Sequence, residues 1–331
     1  MEMARVADKN GFYGFWVQDA IYSRDPWITT AACAMVTKNL MFGPCVTHVY
    51  LRDPTLIAQA LGTLDELSGG RAACAISTGA SLMLQQYHIQ LQGSEPLKRL
   101  REAVEVIRKI LTEPQLTYDG EFFKYTGLSS AAKKRGRLPI YLGAMRGPLT
   151  FRLAGEIGDG VMLAYGYSRG YFKEVLEEVE KGAEKAGRDL EEFDVACANL
   201  FYTSKDSDVA KEAAKMAVGR VASYLSNRQL IKHGIQPDQI TEIKEAFSKG
   251  DVSKVIDVTT MELVEKLSIS GSPEECIDKI EDLKASGLKH LLALMTDAEL
   301  IKHVTHRKIS GIPKYAEMIK LLNREIMPHF L

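Results

Sequence analysis

Six short stretches of small and polar residues follow apolar runs in the sequence and contain the side chains best suited to chemistry. They are Gln18–Ala20, Cys45–His48, Ser77–Ala80, Gly143–Arg146, Ala164–Gly166 and Ala198–Asn199. Proton transfer, hydrogen bonding to a ligand ring and anion binding are the kinds of chemistry that these residue types could support.

Three of these side chains are titratable candidates. Asp19 has no basic residue beside it before Arg24, so its carboxylate could accept a hydrogen bond from a ligand ring N–H or cap the next turn. His48 could act as an acid or base, since imidazole titrates near neutrality, or it could be held in a loop by hydrogen bonds. Cys45 could be a nucleophile, but only His48 among its sequence neighbours could lower its pKa, which favours a small buried residue.

The loop Gly143–Pro148 is a candidate anion site. A helix that begins at Pro148 would direct free backbone N–H groups toward the loop, and Arg146 adds a positive charge. A tight strand-to-helix turn is the alternative. Gly158–Gly160 has a similar composition but precedes a strand. It would lie at the amino-terminal face of a barrel, which contributes to stability and not to catalysis, so no chemistry is expected there.

The sequence around these stretches alternates between strand and helix patterns. The predicted strands are Phe12–Gln18, Leu40–Thr47, Ala72–Ser77, Ile140–Leu142, Gly160–Ala164, Asp194–Thr203 and Leu288–Leu294. Helix signals lie between them, such as Asp53 before Pro54 and the capping box Ser272–Glu275. Because alternation is typical of parallel sheets and no G-x-G-x-x-G follows a first strand, we predict a (β/α)₈ TIM barrel. The reacting groups of such a barrel lie at the carboxyl ends of its strands.

Two irregularities modify the predicted barrel. Residues 205–270 are helical, charged and without a strand pattern, which predicts a helical insertion before the last strand. Only seven strands are counted and the chain opens within a helix that ends at Gly11, so a first strand is expected upstream of Met1. All 331 residues are predicted to form a single domain.

The composition is that of an ordinary globular enzyme, with 46% hydrophobic and 26% charged residues and a net charge of −1. The absence of a basic excess argues against nucleic-acid and membrane partners, and no apolar run is long enough to span a bilayer. Five widely spaced cysteines without a C-x-x-C pair indicate reduced thiols and a cytoplasmic location. His303 and His306 are close in sequence, but no third ligand completes a metal site.

Five runs of the sequence resemble, in the same order, segments of the luciferase-like flavin and deazaflavin enzymes. They are Leu61–Arg71, Pro96–Arg108, Tyr118–Phe123, Leu153–Val161 and Gly271–Cys276. The resemblance is strongest to the deazaflavin-dependent branch, which includes the methylenetetrahydromethanopterin reductases. It implies a luciferase-like barrel that uses coenzyme F420 to transfer a hydride to or from a small substrate, possibly methylenetetrahydromethanopterin.

The resemblance also assigns roles to matching residues. Asp19 matches an aspartate near the deazaflavin ring, Cys45-Val46 matches a non-proline cis peptide that supports the ring, and Gly143-Ala144 resembles the wall around the cofactor tail. With the strand-end positions, the expected catalytic residues are Asp19 and His48. The expected cofactor-binding residues are Asp19, Cys45, Val46, Thr47, Thr78, Gly79, Gly143, Ala144 and Arg146.

The sequence also departs from the pattern of this branch. Ala20 stands where a histidine often follows the aspartate, Ala80 stands where the reductases carry an acidic residue, and the glutamate of their first strand is absent. An FMN-dependent luciferase-like monooxygenase and a barrel that binds a cofactor without turnover therefore remain alternatives. A homo-oligomer is expected in each case.

Overall fold

A computed structural model describes residues 1–21, 23–79, 81–90, 94–134, 136–144, 147–166, 168–296 and 314–330, apart from the side chains of residues 81–83. The chain forms two compact units. The first comprises Met1–Met162 and Glu178–Asp194, and the second comprises Leu163–Glu177 and Val195–Leu331. The single domain over residues 1–331 stays a prediction.

Strands and helices alternate along most of the chain. The strands are β1 (Gly14–Val17), β2 (Met41–His48), β3 (Cys74–Ser77), β4 (Leu116–Asp119), β5 (Lys124–Leu128), β6 (Ile140–Ala144), β7 (Gly160–Ala164), β8 (Asp194–Thr203), β9 (Ile269–Gly271) and β10 (His290–Leu294). The α-helices are α1 (Glu2–Lys9), α2 (Pro26–Ala34), α3 (Pro54–Ser68), α4 (Ser81–Gln86), α5 (Pro96–Thr112), α6 (Pro148–Ile157), α7 (Arg169–Ala186), α8 (Ser207–Tyr224), α9 (Asn227–Lys232), α10 (Thr241–Ser248), α11 (Val252–Val258), α12 (Met261–Leu267), α13 (Pro273–Ala285) and α14 (Tyr315–Leu321). Each of the seven predicted strands is present.

The sheet of the first unit brings several strand ends to one edge. Strands β1, β2, β3 and β6 are hydrogen-bonded in that order, and all three pairings are parallel. The small residues before and within β3 are fully buried, and Gly43 of β2 is required because an added Cβ would lie 2.1 Å from the Ala73 carbonyl oxygen. Since parallel strands point the same way, the segments after Val17, His48, Ser77 and Ala144 share one edge.

Aspartates cap the two helices that follow β1 and β2. Asp25 accepts hydrogen bonds from the backbone N–H groups of Trp27 and Ile28 at the start of α2, at 2.9 and 3.0 Å. Asp53 accepts one from the backbone N–H of Thr55 at 2.8 Å, so the predicted cap of α3 is confirmed. The helix ends at Gly69, which has the left-handed φ of 71° that suits glycine.

Helices α6 and α7 approach each other closely through two glycines. An added Cβ at Gly155 would lie 2.0 Å from the backbone oxygen of Val179, and one at Gly182 would lie 1.9 Å from that of Arg152. Any larger residue at either position would have to push the two backbones apart. The nearby Asp159 is also structural, since it accepts a hydrogen bond from Arg108 at 2.8 Å and one from the backbone N–H of Ile140 at 2.9 Å.

Outside this sheet, β4 and β5 pair antiparallel. In the second unit, helices α8 to α12 form the predicted insertion around a core centred on α8. Five buried alanines of α8 allow its neighbours to pack closely; they are Ala210, Ala213, Ala214, Ala217 and Ala222.

The prediction of a strandless segment over residues 205–270 is wrong at its end. Residues Ile269–Gly271 form β9, which pairs in parallel with Phe201–Thr203 of β8, while β10 also pairs in parallel with β8. Three residues are too few to show a strand period, so the count of seven strands omitted this one. The expected strand upstream of Met1 stays a prediction.

Candidate active site

Asp19, two residues beyond β1, lies at the centre of a hydrogen-bond network at the strand edge. Its Oδ2 accepts hydrogen bonds from the Thr47 hydroxyl at 2.7 Å and from Arg52 Nε at 2.9 Å. Its Oδ1 accepts one from Arg52 Nη2 at 3.2 Å. The side chain is 13% exposed. These side-chain bonds join the end of β1 to the end of β2 and the segment that follows it.

Arg52 was not among the predicted site residues. It lies between β2 and α3, and its Nη2 also donates to Asp25 at 2.9 Å. The hydrogen bond with Asp19 raises the pKa of Arg52, so the guanidinium stays charged. The available signal was topological: parallel pairing of β1 and β2 places an arginine that follows β2 beside a carboxylate that follows β1.

His48 is buried and has protein partners at both ring nitrogens. Its Nε2 lies 2.9 Å from the backbone oxygen of Asp19, and its Nδ1 lies 3.4 Å from the Ser77 hydroxyl. A carbonyl only accepts, so we assign the ring hydrogen to Nε2. Burial lowers the pKa of His48, which keeps the ring neutral near pH 7. This geometry matches the loop-holding alternative; the catalytic role of His48 stays a prediction.

Cys45 and Val46 are half-buried at the end of β2. The peptide bond between them is cis, which confirms the predicted backbone, and the pairing of β2 with β3 shifts register between Cys45 and Thr47. Burial raises the pKa of the Cys45 thiol to about 12. The thiol is therefore protonated near neutral pH, which argues against a nucleophile, while the predicted burial of Cys45 is only partial.

Val46, Ser77 and Gly143 meet where β2, β3 and β6 end. An added Cβ at Gly143 would lie 2.7 Å from Val46 Cγ1 and 3.2 Å from Ser77 Cβ, so only glycine fits. After β3, the backbone N–H of Gly79 donates to the Ser77 hydroxyl at 3.0 Å, and Gly79 has a φ of 85°. Thr78 is half-buried beside it.

The predicted anion loop is described in part. Ala144 is buried at the end of β6, Gly147 precedes α6 with a φ of 97°, and α6 begins at Pro148 as predicted. Arg146 lies outside the described residues, as do His303 and His306. Among the residues that the structure describes, no group of three histidines, cysteines or carboxylates could hold a metal ion.

Two further candidate stretches lie in the second unit, after β7 and within β8. The buried Asn199 side chain donates from Nδ2 to the Gly166 backbone oxygen at 3.0 Å. Tyr165, the residue directly after β7, has a φ of 59°, which is rare for a bulky residue. Asn199 therefore holds the backbone that follows β7.

Comparison with known proteins identifies the family. The model of the luciferase-like monooxygenase family matches residues 1–290. The chain belongs to this family. This luciferase-like protein is 34% identical to the 5,10-methylenetetrahydromethanopterin reductase of Archaeoglobus fulgidus over 87% of both chains. It is 30% identical to the enzyme of that name from Methanopyrus kandleri over 99% of this chain and 93% of the relative.

Solved structures support the same family. The coenzyme F420-dependent tetrahydromethanopterin reductase from Methanopyrus kandleri matches with a TM-score of 0.89 at 29% identity, covering 100% of this chain and 94% of that one. The predicted luciferase-like (β/α)₈-barrel class is therefore confirmed.

In the part of this luciferase-like chain that the structure describes, no helix is both long and apolar enough to cross a membrane.

Proposed function

We propose that this protein is a coenzyme F420-dependent oxidoreductase that transfers a hydride between the deazaflavin and a small substrate. The observation that carries the proposal is the Asp19 carboxylate, which Thr47 and Arg52 fix beside the end of β2. The relatives named as reductases, and others named F420-dependent glucose-6-phosphate dehydrogenase, support this choice of cofactor.

The described residues fit a flat, polar-edged ring system. A carboxylate offers about four acceptor positions, and Asp19 uses three of them, which leaves one on Oδ1 for a ring N–H. Val46 and Gly143 supply a small apolar surface nearby in the sheet. Backbone N–H groups at the start of α6 suit the anionic part of a cofactor.

When bound, the deazaflavin supplies a carbon centre that gives or accepts the hydride. The protein then has to bind the cofactor and the substrate, orient them relative to each other and shield them from water. Asp19 orients the ring edge, neutral His48 holds the backbone oxygen of Asp19 in place, and the protonated Cys45 thiol stays unreactive. We propose methylenetetrahydromethanopterin as the substrate because the two reductases cited above carry that substrate in their name.

Titration of the purified protein with F420 and with FMN tests the cofactor. We expect F420 to bind at least about tenfold more tightly, a difference near 1.4 kcal/mol, measured by quenching of cofactor fluorescence. Adding methylenetetrahydromethanopterin to the reduced F420 complex should then restore the absorbance of oxidised F420. Tight FMN binding without a response to F420 would favour the monooxygenase, and F420 binding without any turnover would favour a non-catalytic barrel.

We further propose a cytoplasmic homo-oligomer. None of the five cysteines forms a disulfide, and four of them are buried, which suits a reducing compartment. Helices α2 and α3 of the first unit pack together, and large exposed apolar residues lie on them and directly after α2. Ile28 is 75% exposed, Met35 is 65% and Leu56 is 60%. Apolar residues on neighbouring helices favour a second copy as the partner.

Replacing Ile28 and Leu56 together by glutamate is expected to convert the oligomer into monomers, because two charges would be buried without partners at the contact. Light scattering during size-exclusion chromatography measures the mass. Ile231→Glu is the matched control, since Ile231 is 58% exposed on α9 of the second unit. A double variant with unchanged mass would place any interface elsewhere.

A further inference from the structure

Arg52 connects three segments of the chain through one guanidinium. It contacts Asp19 after β1 with Nε and Nη2, and its Nη2 also contacts Asp25, the cap of α2. Arg52 itself follows β2, only one residue before Asp53, which caps α3. The end of β1, the start of α2 and the start of α3 are therefore coupled at this side chain.

The geometry restricts the carboxylate of Asp19 in a way that a point charge would not. The guanidinium is planar, and its N–H groups point in fixed directions, so contacts to both carboxylate oxygens oppose rotation of the carboxylate. The Thr47 hydroxyl adds a third contact, to Oδ2. The remaining acceptor position of Oδ1 therefore has a defined direction.

The negative charge of the Asp19 carboxylate also needs a cation beside it, and Arg52 supplies that cation. The Asp19 side chain is 13% exposed, and an ionised carboxylate that is mostly removed from water is costly unless it is paired. Among the described residues, Arg52 is the cation with which Asp19 forms a salt bridge. His48, the nearest titratable ring, meets the backbone oxygen of Asp19 and not the carboxylate.

We propose that Arg52 is a positioning residue, which holds Asp19 so that Oδ1 can accept a hydrogen bond from the ring of the deazaflavin. The inference rests on the proposed function. Arg52 acts through Asp19, so its loss should misalign the ring more than it weakens substrate binding.

The test compares Arg52→Lys and Arg52→Ala with the wild-type protein. Lysine keeps the charge but loses the two-point contact, so hydride transfer should fall at least about tenfold while the KM of the substrate changes less than about twofold. The Kd of F420, measured by fluorescence, should rise about threefold or more in both variants. Their thermal midpoints of unfolding should stay close to that of the wild-type protein. Millimolar guanidinium chloride should restore part of the F420 affinity and rate of Arg52→Ala, whereas equal sodium chloride should not.

Arg169→Ala is the matched control, because Arg169 is an exposed arginine of the second unit that pairs with Asp282. It should keep the wild-type rate and show no response to guanidinium. Wild-type Kd and rate in Arg52→Lys would overturn the inference, as would losses in Arg52→Ala that guanidinium leaves unchanged. If the wild-type protein itself fails to bind F420, the proposed function fails instead, and this is measured first.

Discussion

Asp19→Asn is expected to lower the rate of hydride transfer on the order of 100-fold, a loss near 2.7 kcal/mol. The amide that replaces the carboxylate offers a single acceptor oxygen, while Thr47 and Arg52 present three donor contacts to the present side chain. One donor must then face the amide NH₂ group, so the side chain turns and the acceptor position that we propose for the ring is lost. Single-turnover absorbance of the cofactor measures the effect.

Asp119→Asn provides the control for this variant. Asp119 is 82% exposed on β4, where it pairs with Lys124 away from the strand edge that carries Asp19. Its substitution should leave the rate and the F420 affinity unchanged. Asp19→Asn should also lose more activity than Arg52→Lys, since lysine still balances the charge. An Asp19→Asn protein with the wild-type rate would remove Asp19 from the catalytic assignment.

Acidification should lower the free energy of unfolding by about 3 kcal/mol through the protonation of His233. His233 follows α9, is 8% exposed and packs against the ring of Tyr171. Burial, aided by neighbouring Lys232, lowers its pKa from 6.5 to about 4. The folded state therefore prefers the neutral ring. The stabilisation is complete above about pH 6.5 and disappears as the pH falls through about 4.

Urea unfolding from pH 7.5 to 4.5 measures this dependence. His233→Gln cannot take up a proton, so its free energy of unfolding should fall less steeply with acidification than that of the wild type. His329→Gln is the control, because His329 is exposed near the carboxyl terminus. Identical slopes in His233→Gln and the wild type would contradict the assignment to His233. The lowered pKa of His48 adds to the slope in both proteins.

Local signals predicted most of the fold. The capping aspartate before Pro54 depends on only a few neighbouring residues, and the start of α3 was predicted correctly. Strands β7 and β8 were predicted to the residue because their apolar runs are continuous and sharply bounded. Strand β9 was missed because its three residues show no periodicity and its place depends on pairing with β8.

The candidate site was predicted in part for the same reason. Strand ends identify Asp19, Cys45–His48 and Gly143 because topology brings them to one edge. The contact between Asp19 and Arg52 joins residues 33 positions apart, and no local pattern specifies which basic residue reaches the carboxylate. Likewise, the requirement for glycine at position 143 arises from the Val46 side chain on another strand.

The glycine contacts between α6 and α7 have a consequence for how relatives of this protein are recognised in genomes. Gly155 lies in the run Leu153–Val161, which resembles other members of the family, yet its requirement is the 2.0 Å distance from an added Cβ to the Val179 oxygen. The glycine in that run therefore serves the packing of the scaffold and not the chemistry of the site. A protein of the same fold with another cofactor should still need glycine where Gly155 and Gly182 stand, whereas it would not need the ring contact proposed for the pair Asp19 and Arg52. Searches for proteins with the same chemistry should weight the pair above the run.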